Sequence, residues 1–366
     1  MKKSKVVISG YYGFDNTGDE AVLYSMIRQL RELVPELEIT VLSHRPEKTM
    51  ASHDVRAVNR WSLLQVIRAV SRADLVLSGG GSLLQDVTGI KSLLYYLGVI
   101  AVARLLGKRV MIYAQGIGPI NTLPGKWLTR LAVNRVDLIT VRDEESGLFL
   151  KQLGVTRPSI KVTADPVLGL DSDRIQSVSF AGLFPNLMEK GAPLAGISVR
   201  KWKGWEEARL IFARVGDRLV ERGWKVIFLP MHFPEDLNAC RETASLMKED
   251  SAILEQQPSV ETLLGIMQGM DLVIGMRLHA LILAAVARVP IIGVSYDPKI
   301  DSFIKMTGQI NAGRVEEITP EQLVKAVEWG LDRREELKER LEHVLPDLRY
   351  RARENTRQAV RLLTGR

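Results

Sequence analysis

Cysteine is almost missing from this chain of 366 residues, Cys240 being the only one. A single thiol excludes an intrachain disulfide and any zinc cluster built on several thiolates, and it fits a reducing cytoplasm. Long apolar runs are missing too: Leu93 to Leu106 is interrupted by Arg104, and Ala280 to Val294 by Arg288 and Pro290, so neither matches a bilayer span. The opening MKKSKVVISGYY has lysines but no extended apolar stretch and no small-residue cleavage site, and reads as a strand rather than a signal peptide. No tract biased toward Pro, Gln or Ser argues for disorder. Also absent are a GxGxxG turn, a Walker A loop, a GxSxG elbow and a pair of histidines at helical spacing with carboxylates. Nicotinamide, NTPase, serine-hydrolase and metal-centred chemistries fall away with them, and no cofactor is required.

What is present is a folding composition, 46% hydrophobic and 25% charged, in a chain longer than one core usually holds. Two domains are therefore expected. The net charge of +7 suits an anionic partner without choosing one. Short β-branched runs (KVVIS, EITVLS, DLVLS, RVMIYAQ, DLITVR) alternate with segments of helical period, and the same alternation restarts at LAGISVR and continues through KVIFLP, DLVIG and IIGVS. Near-continuous apolar strands belong to sheets covered on both faces, so the expectation is α/β, with two Rossmann-like parallel-sheet domains facing a cleft. The boundaries read as 1–170 for the first domain, 171–193 for a linker and 194–345 for the second domain. A basic helix over 346–366 is expected to pack back on the first domain or to touch anionic lipid.

Ligands of such sheets bind beyond the carboxyl ends of the strands, which directs attention to the strand-end loops. After the first strand come Asn16, Asp19 and Glu20, placed to cap a helix or meet a ligand. After DLVLS stand Gly79, Gly80, Gly81 and Ser82, whose backbone N–H groups suit an anion or a closely approaching sugar, or else serve tight packing. Arg142 and Arg200 each end a strand, where a guanidinium can fork onto a carboxylate or phosphate or pair with a neighbouring acid. Asp165-Pro166 reads as a turn former. Arg277, Leu278 and His279 occupy the start of an apolar helix, with Leu278 expected to turn away from its neighbours. His279 is the best acid/base candidate of five histidines, because His44, His53, His232 and His343 lack such company. Ser295 and Lys299 close the next strand.

Taken together, GYYGFDNTGDEA, SGGGSLLQD, QGIGP, VRDEES, DPVL, GMRLHA and GVSYDPK resemble the polysaccharide pyruvyl transferase family, and among it the CsaB-type bacterial members. The resemblance implies a fold similar to GT-B glycosyltransferases and phosphoenolpyruvate as donor and co-substrate. It implies as acceptor a lipid-linked, N-acetylmannosamine-containing glycan of a secondary cell-wall polymer, whose ketal anchors S-layer-homology domains. The family's Arg-Leu-His motif, linked to donor binding and chemistry, maps onto Arg277, Leu278 and His279, and Arg142 matches its first-domain arginine as a second catalytic arginine beside Arg277 and His279; by strand-end position Arg200, Ser295 and Lys299 join the expected donor contacts. Acceptor contact would fall on Asn16, Asp19, Glu20, Gly79, Gly80, Gly81 and Ser82. The protein is expected in the cytoplasm, with peripheral contact to the membrane's inner face and no nucleic-acid partner. The rival expectations are a GT-B glycosyltransferase using a nucleotide sugar and a non-catalytic binder of wall glycans.

Overall fold

Apolar β-branched runs satisfy their backbone only by pairing, and bury both faces only under helices, so each half of the chain becomes a parallel sheet between helical layers. The structure is a computed structural model that describes residues 3–87, 89–176, 178–184 and 191–365. Its first half runs β1 (Lys5–Tyr12), α1 (Thr17–Leu33), β2 (Glu38–Ser43), α2 (Pro46–His53), β3 (Arg56–Asn59), α3 (Leu63–Arg72), β4 (Leu75–Gly79), α4 (Ile90–Leu105), β5 (Arg109–Gln115), α5 (Leu123–Val133), β6 (Leu138–Val141), α6 (Glu144–Gln152) and β7 (Ile160–Val162). The second half runs α7 (Phe180–Leu183), β8 (Leu194–Ser198), α8 (Trp205–Glu221), β9 (Lys225–Phe228), α9 (Glu235–Ala244), β10 (Ala252–Ile253), α10 (Val260–Gln268), β11 (Leu272–Gly275), α11 (Leu278–Val286), β12 (Ile291–Ser295), α12 (Pro298–Thr307), β13 (Ile310–Arg314), α13 (Pro320–Asp332) and α14 (Arg334–Thr364).

The chain divides into two compact units, Met1–Gly169 with Leu348–Arg366, and Leu170–Asp347. The first holds a seven-stranded sheet in the order β3-β2-β1-β4-β5-β6-β7, the second a six-stranded sheet in the order β10-β9-β8-β11-β12-β13. In both, the chain builds outward from the first strand and then returns to its other side, so the order reverses between β1 and β4 and between β8 and β11. Buried aliphatic and aromatic side chains fill both cores, among them Leu93, Ile100 and Ile112 in the first and Phe212, Phe228 and Ile274 in the second. Each contributes about 2 kcal/mol, whereas exposed ion pairs contribute roughly 0–1 kcal/mol. Burial therefore holds each unit together.

The linker is placed differently from the sequence reading. Of the expected linker over 171–193, positions 177 and 185–190 lie outside the described residues. The part before them belongs to the second unit: a Cβ on Gly265 or Gly269 would collide with Val178 or Phe180, so these side chains seat directly on α10 and its end. The basic tail from Leu348 belongs to the first unit, where the Asn355 amide donates to Ala164 O (3.0 Å) and accepts from Thr163 Oγ1 (2.7 Å). Arg351 and Arg353 donate to the carbonyls of Thr163 and Gly169 at 2.8 and 3.1 Å. Among the described residues no helix is long and apolar enough to cross a membrane.

Candidate active site

In the second sheet the order reverses between β8 and β11, and beyond the carboxyl ends of strands at such a reversal is where ligands of these sheets bind. Gly275 pairs with Ser198, and Met276 N–H donates to Ser198 O at 2.8 Å, so the loops bearing Arg200 and Arg277 leave the sheet side by side. Arg277 has extended backbone and immediately precedes α11, whose first turn carries His279. Its guanidinium meets Asp236 along one edge, Nε to Oδ2 at 2.7 Å and Nη2 to Oδ1 at 2.5 Å. Asp236 is 1% exposed in the first turn of α9, where the helix N-terminus favours a carboxylate, and it also accepts Met231 N–H at 3.2 Å. A carboxylate buried this deeply needs a matched, hydrogen-bonded cation, and the two-pronged geometry fixes the plane of the guanidinium. Behind it, burial and then the Asp236 charge push the Cys240 thiol up, which keeps it protonated.

Arg277, Leu278 and His279 are all half-buried at the start of α11. Arg200 donates to Tyr296 Oη at 2.6 Å and lies over the rings of Tyr296 (4.6 Å) and Trp202 (5.1 Å). No carboxylate pairs with it among the described residues, so its full charge remains available to an anion. Ser295 is corrected as a ligand-contacting residue. It is fully buried and its hydroxyl donates to Asp301 at 2.7 Å, which fixes the start of α12 instead. Lys299 lies half-buried in the first turn of α12, where its N–H donates to Asp297 Oδ1 at 3.0 Å.

In the first unit the glycine run packs closely against α1. Gly79, Gly80 and Gly81 are buried, and an added Cβ would come within 2.6 Å of Met26, 1.9 Å of Val22 and 2.6 Å of Asp19. Gly80 (φ +54°) and Gly81 (φ +71°) also adopt left-handed backbone, and the Gly80 N–H is engaged by Tyr113 O at 2.9 Å. Of the two readings of this run, a cradle or tight packing, the close approach of α1 supports packing. Ser82, just beyond, accepts from Arg142 Nη2 at 3.2 Å. Arg142, 7% exposed, pairs with Asp165 at 2.8 Å, a residue read only as a turn former. Gly116 leaves room for it, since a Cβ there would stand 3.0 Å from Arg142 Nε.

Asn16 caps α1 by accepting from Gly18 N–H (3.0 Å) and Asp19 N–H (3.3 Å), and Asp19 stays half-buried beside Gly81. Glu20 faces inward, accepting from Gly13 N–H at 2.8 Å and meeting His53 Nε2 at 3.0 Å. Three of the other histidines have polar neighbours of a different kind. His53 has Glu20, His44 accepts from Trp61 Nε1 at 2.9 Å, and His232 lies 3.5 Å from Glu235.

Sequence reading missed a ladder of rings at this edge. Tyr11 stacks on Phe14 (4.1 Å), Phe14 on His44 (4.5 Å), and His44 meets the edge of Trp61, which leads on to Tyr95 and Tyr96. Buried Arg60 lies against four of these rings, 4.1 Å from that of Tyr95, and donates to Gly10 O at 2.9 Å. Burial pushes the Tyr96 hydroxyl up to about 12 against the opposing pull of Arg60. The only sequence signal was the recurrence of aromatics in strand-end loops, YYGF, HR and NRW. Asp236 and Asp165 gave less, because their partners lie 41 and 23 positions away. Among the described residues no group of three or more His, Cys, Asp or Glu is placed to hold a metal ion.

Comparison with known proteins places this geometry in context. The model of the family described as polysaccharide pyruvyl transferase matches residues 16–298. The amylovoran biosynthesis protein AmsJ of Erwinia amylovora is 20% identical over 395 residues, covering 92% of this chain and 94% of that protein. Among solved structures, UDP-GlcNAc 2-epimerase from Neisseria meningitidis bound to UDP-GlcNAc aligns with a TM-score of 0.68 at 12% identity, covering all of both chains. Anabaena Alr3699/HepE in complex with UDP-glucose aligns at 0.66 and 14%, covering 99% of this chain and 100% of the other. At such identities the likeness is one of fold, and that fold is GT-B-like.

Proposed function

Because the chain belongs to the polysaccharide pyruvyl transferase family, and is thus a transferase of polysaccharide biosynthesis, we propose that its donor is phosphoenolpyruvate and its product a pyruvate ketal. We assign it to the CsaB-type members, acting in the cytoplasm on an N-acetylmannosamine residue of a lipid-linked secondary cell-wall polymer. The observation that carries the reading is the second unit's strand-end cluster: Arg277, held in one plane by Asp236, directly before the helix whose first turn bears His279. Phosphoenolpyruvate presents a carboxylate and a phosphate on adjoining atoms, so it requires oriented cations, and Arg277 with Arg200 provides two on adjacent loops.

In the proposed reaction the donor's methylene carbon takes a proton while a sugar hydroxyl attacks C2. The C2–O bond to phosphate breaks and phosphate leaves with a proton. A second hydroxyl closes the ketal on C2, and its proton balances the one delivered to carbon. His279 moves at least one of these protons. The acceptor belongs to the first unit, where Asp19 and the partly exposed ring ladder offer a polar group beside flat apolar faces suited to a sugar. Arg142 is given a positioning role for the Ser82 and Gly116 loops rather than donor contact, since Asp165 and Ser82 engage it.

The test is incubation with phosphoenolpyruvate and a mannosamine-containing acceptor. Phosphate release with a mass gain of pyruvate minus water is expected, and no turnover of a nucleotide sugar. Transfer from the nucleotide sugar, or acceptor binding without phosphate release, would replace this reading with a glycosyltransferase or a glycan binder. Arg277→Lys is expected to raise the donor KM about tenfold with kcat largely kept, because a point charge replaces a planar fork. Steady-state kinetics in varied phosphoenolpyruvate checks it.

A further inference from the structure

We infer that the face of the first unit built by α4 and α5 docks onto an anionic bilayer surface. On α4, positions 94, 98, 101 and 105 follow one helical face, and that face is exposed and wholly apolar: Leu94, Gly98, Ala101 and Leu105. On α5 the same holds for Leu123, Trp127 and Leu131, which are 79%, 62% and 40% exposed. Surface helices place polar residues on such faces, and two neighbouring helices departing from the rule together make a contiguous patch. Between them lies a groove of about 960 Å³, whose walls include Leu94, Leu105 and Leu131 and whose rim includes Arg104, Arg135 and Arg157.

Charge selects the occupant. From position 87 to 136 the sequence has no Asp or Glu, but it has Lys91, Arg104, Lys108, Arg109, Lys126, Arg130 and Arg135. The next acid, Asp137, is matched by Arg104 at 2.7 Å. A second copy of this chain would set the same basic face against itself, whereas a leaflet containing anionic headgroups complements it and accepts leucine and tryptophan at the acyl boundary. The tail is the weaker docking element, because Arg351 and Arg353 are directed to carbonyls of their own unit.

The experiment is sedimentation of the full chain with vesicles of phosphatidylglycerol and phosphatidylcholine, or of phosphatidylcholine alone. Binding is expected only to the mixed vesicles and to fade in high salt. The combined variant Leu123→Ser, Trp127→Ser, Leu131→Ser and the pair Lys126→Glu, Arg130→Glu should each lower the bound fraction about tenfold or more with unchanged melting. Binding that ignores lipid charge, variants that bind like the parent, or a vesicle-indifferent dimer dispersed by the serine variant would each overturn the inference. None of these readouts depends on the transfer reaction, so the two proposals fail separately.

Discussion

Turnover of the His279→Ala protein is expected to fall by about two orders of magnitude or more while its melting temperature stays where it was. The side chain is half-buried in the first turn of α11, at the carboxyl edge of the sheet and outside the buried core clusters. What its removal deletes is the group proposed to move a proton as C2 of the donor changes partners. Donor affinity, measured by equilibrium binding, should change far less than kcat. A variant with unchanged kcat would remove His279 from the chemistry. A parallel collapse of melting and turnover would make its role structural.

The second large effect is expected at Asp236, a residue that composition and spacing did not single out. Asp236→Ala leaves Arg277 without its buried counter-charge and should destabilise the second unit by about 3–5 kcal/mol, read from denaturant unfolding. Asp236→Asn is the sharper probe. It keeps the volume and an oxygen for the Met231 N–H, but it can accept only one of the two prongs from Arg277. The donor KM should then rise about tenfold with kcat moving less, because the guanidinium loses its fixed plane before donor binds. An Asn variant that unfolds less readily than the Ala variant yet binds donor like the parent would show that Asp236 only fills space.

The two sheets were legible because their inner strands are continuous apolar runs, such as KVVIS, DLVLS and DLVIG. The elements missed were those without such runs. β3 reads RAVN and is only partly buried at a sheet edge, β10 has two residues, and β13 reads INAGR, with a register shift against β12. SGGGS has the composition of an anion cradle, yet three of its residues are glycine because α1 approaches too closely for any side chain, and a lone sequence does not separate the two causes. Strand ends revealed where Arg142, Arg200 and Arg277 stand but not what they hold. Their partners, Asp165, Tyr296 and Asp236, are brought in by strand order, which local pattern does not encode.

Over six strands the two sheets share one order, and each carries its own reversal with its own set of polar residues. On the proposed division, with acceptor on the first unit and donor on the second, substitutions around Trp61 or Asp19 are expected to change which sugar is admitted while the grip on the donor stays as it was.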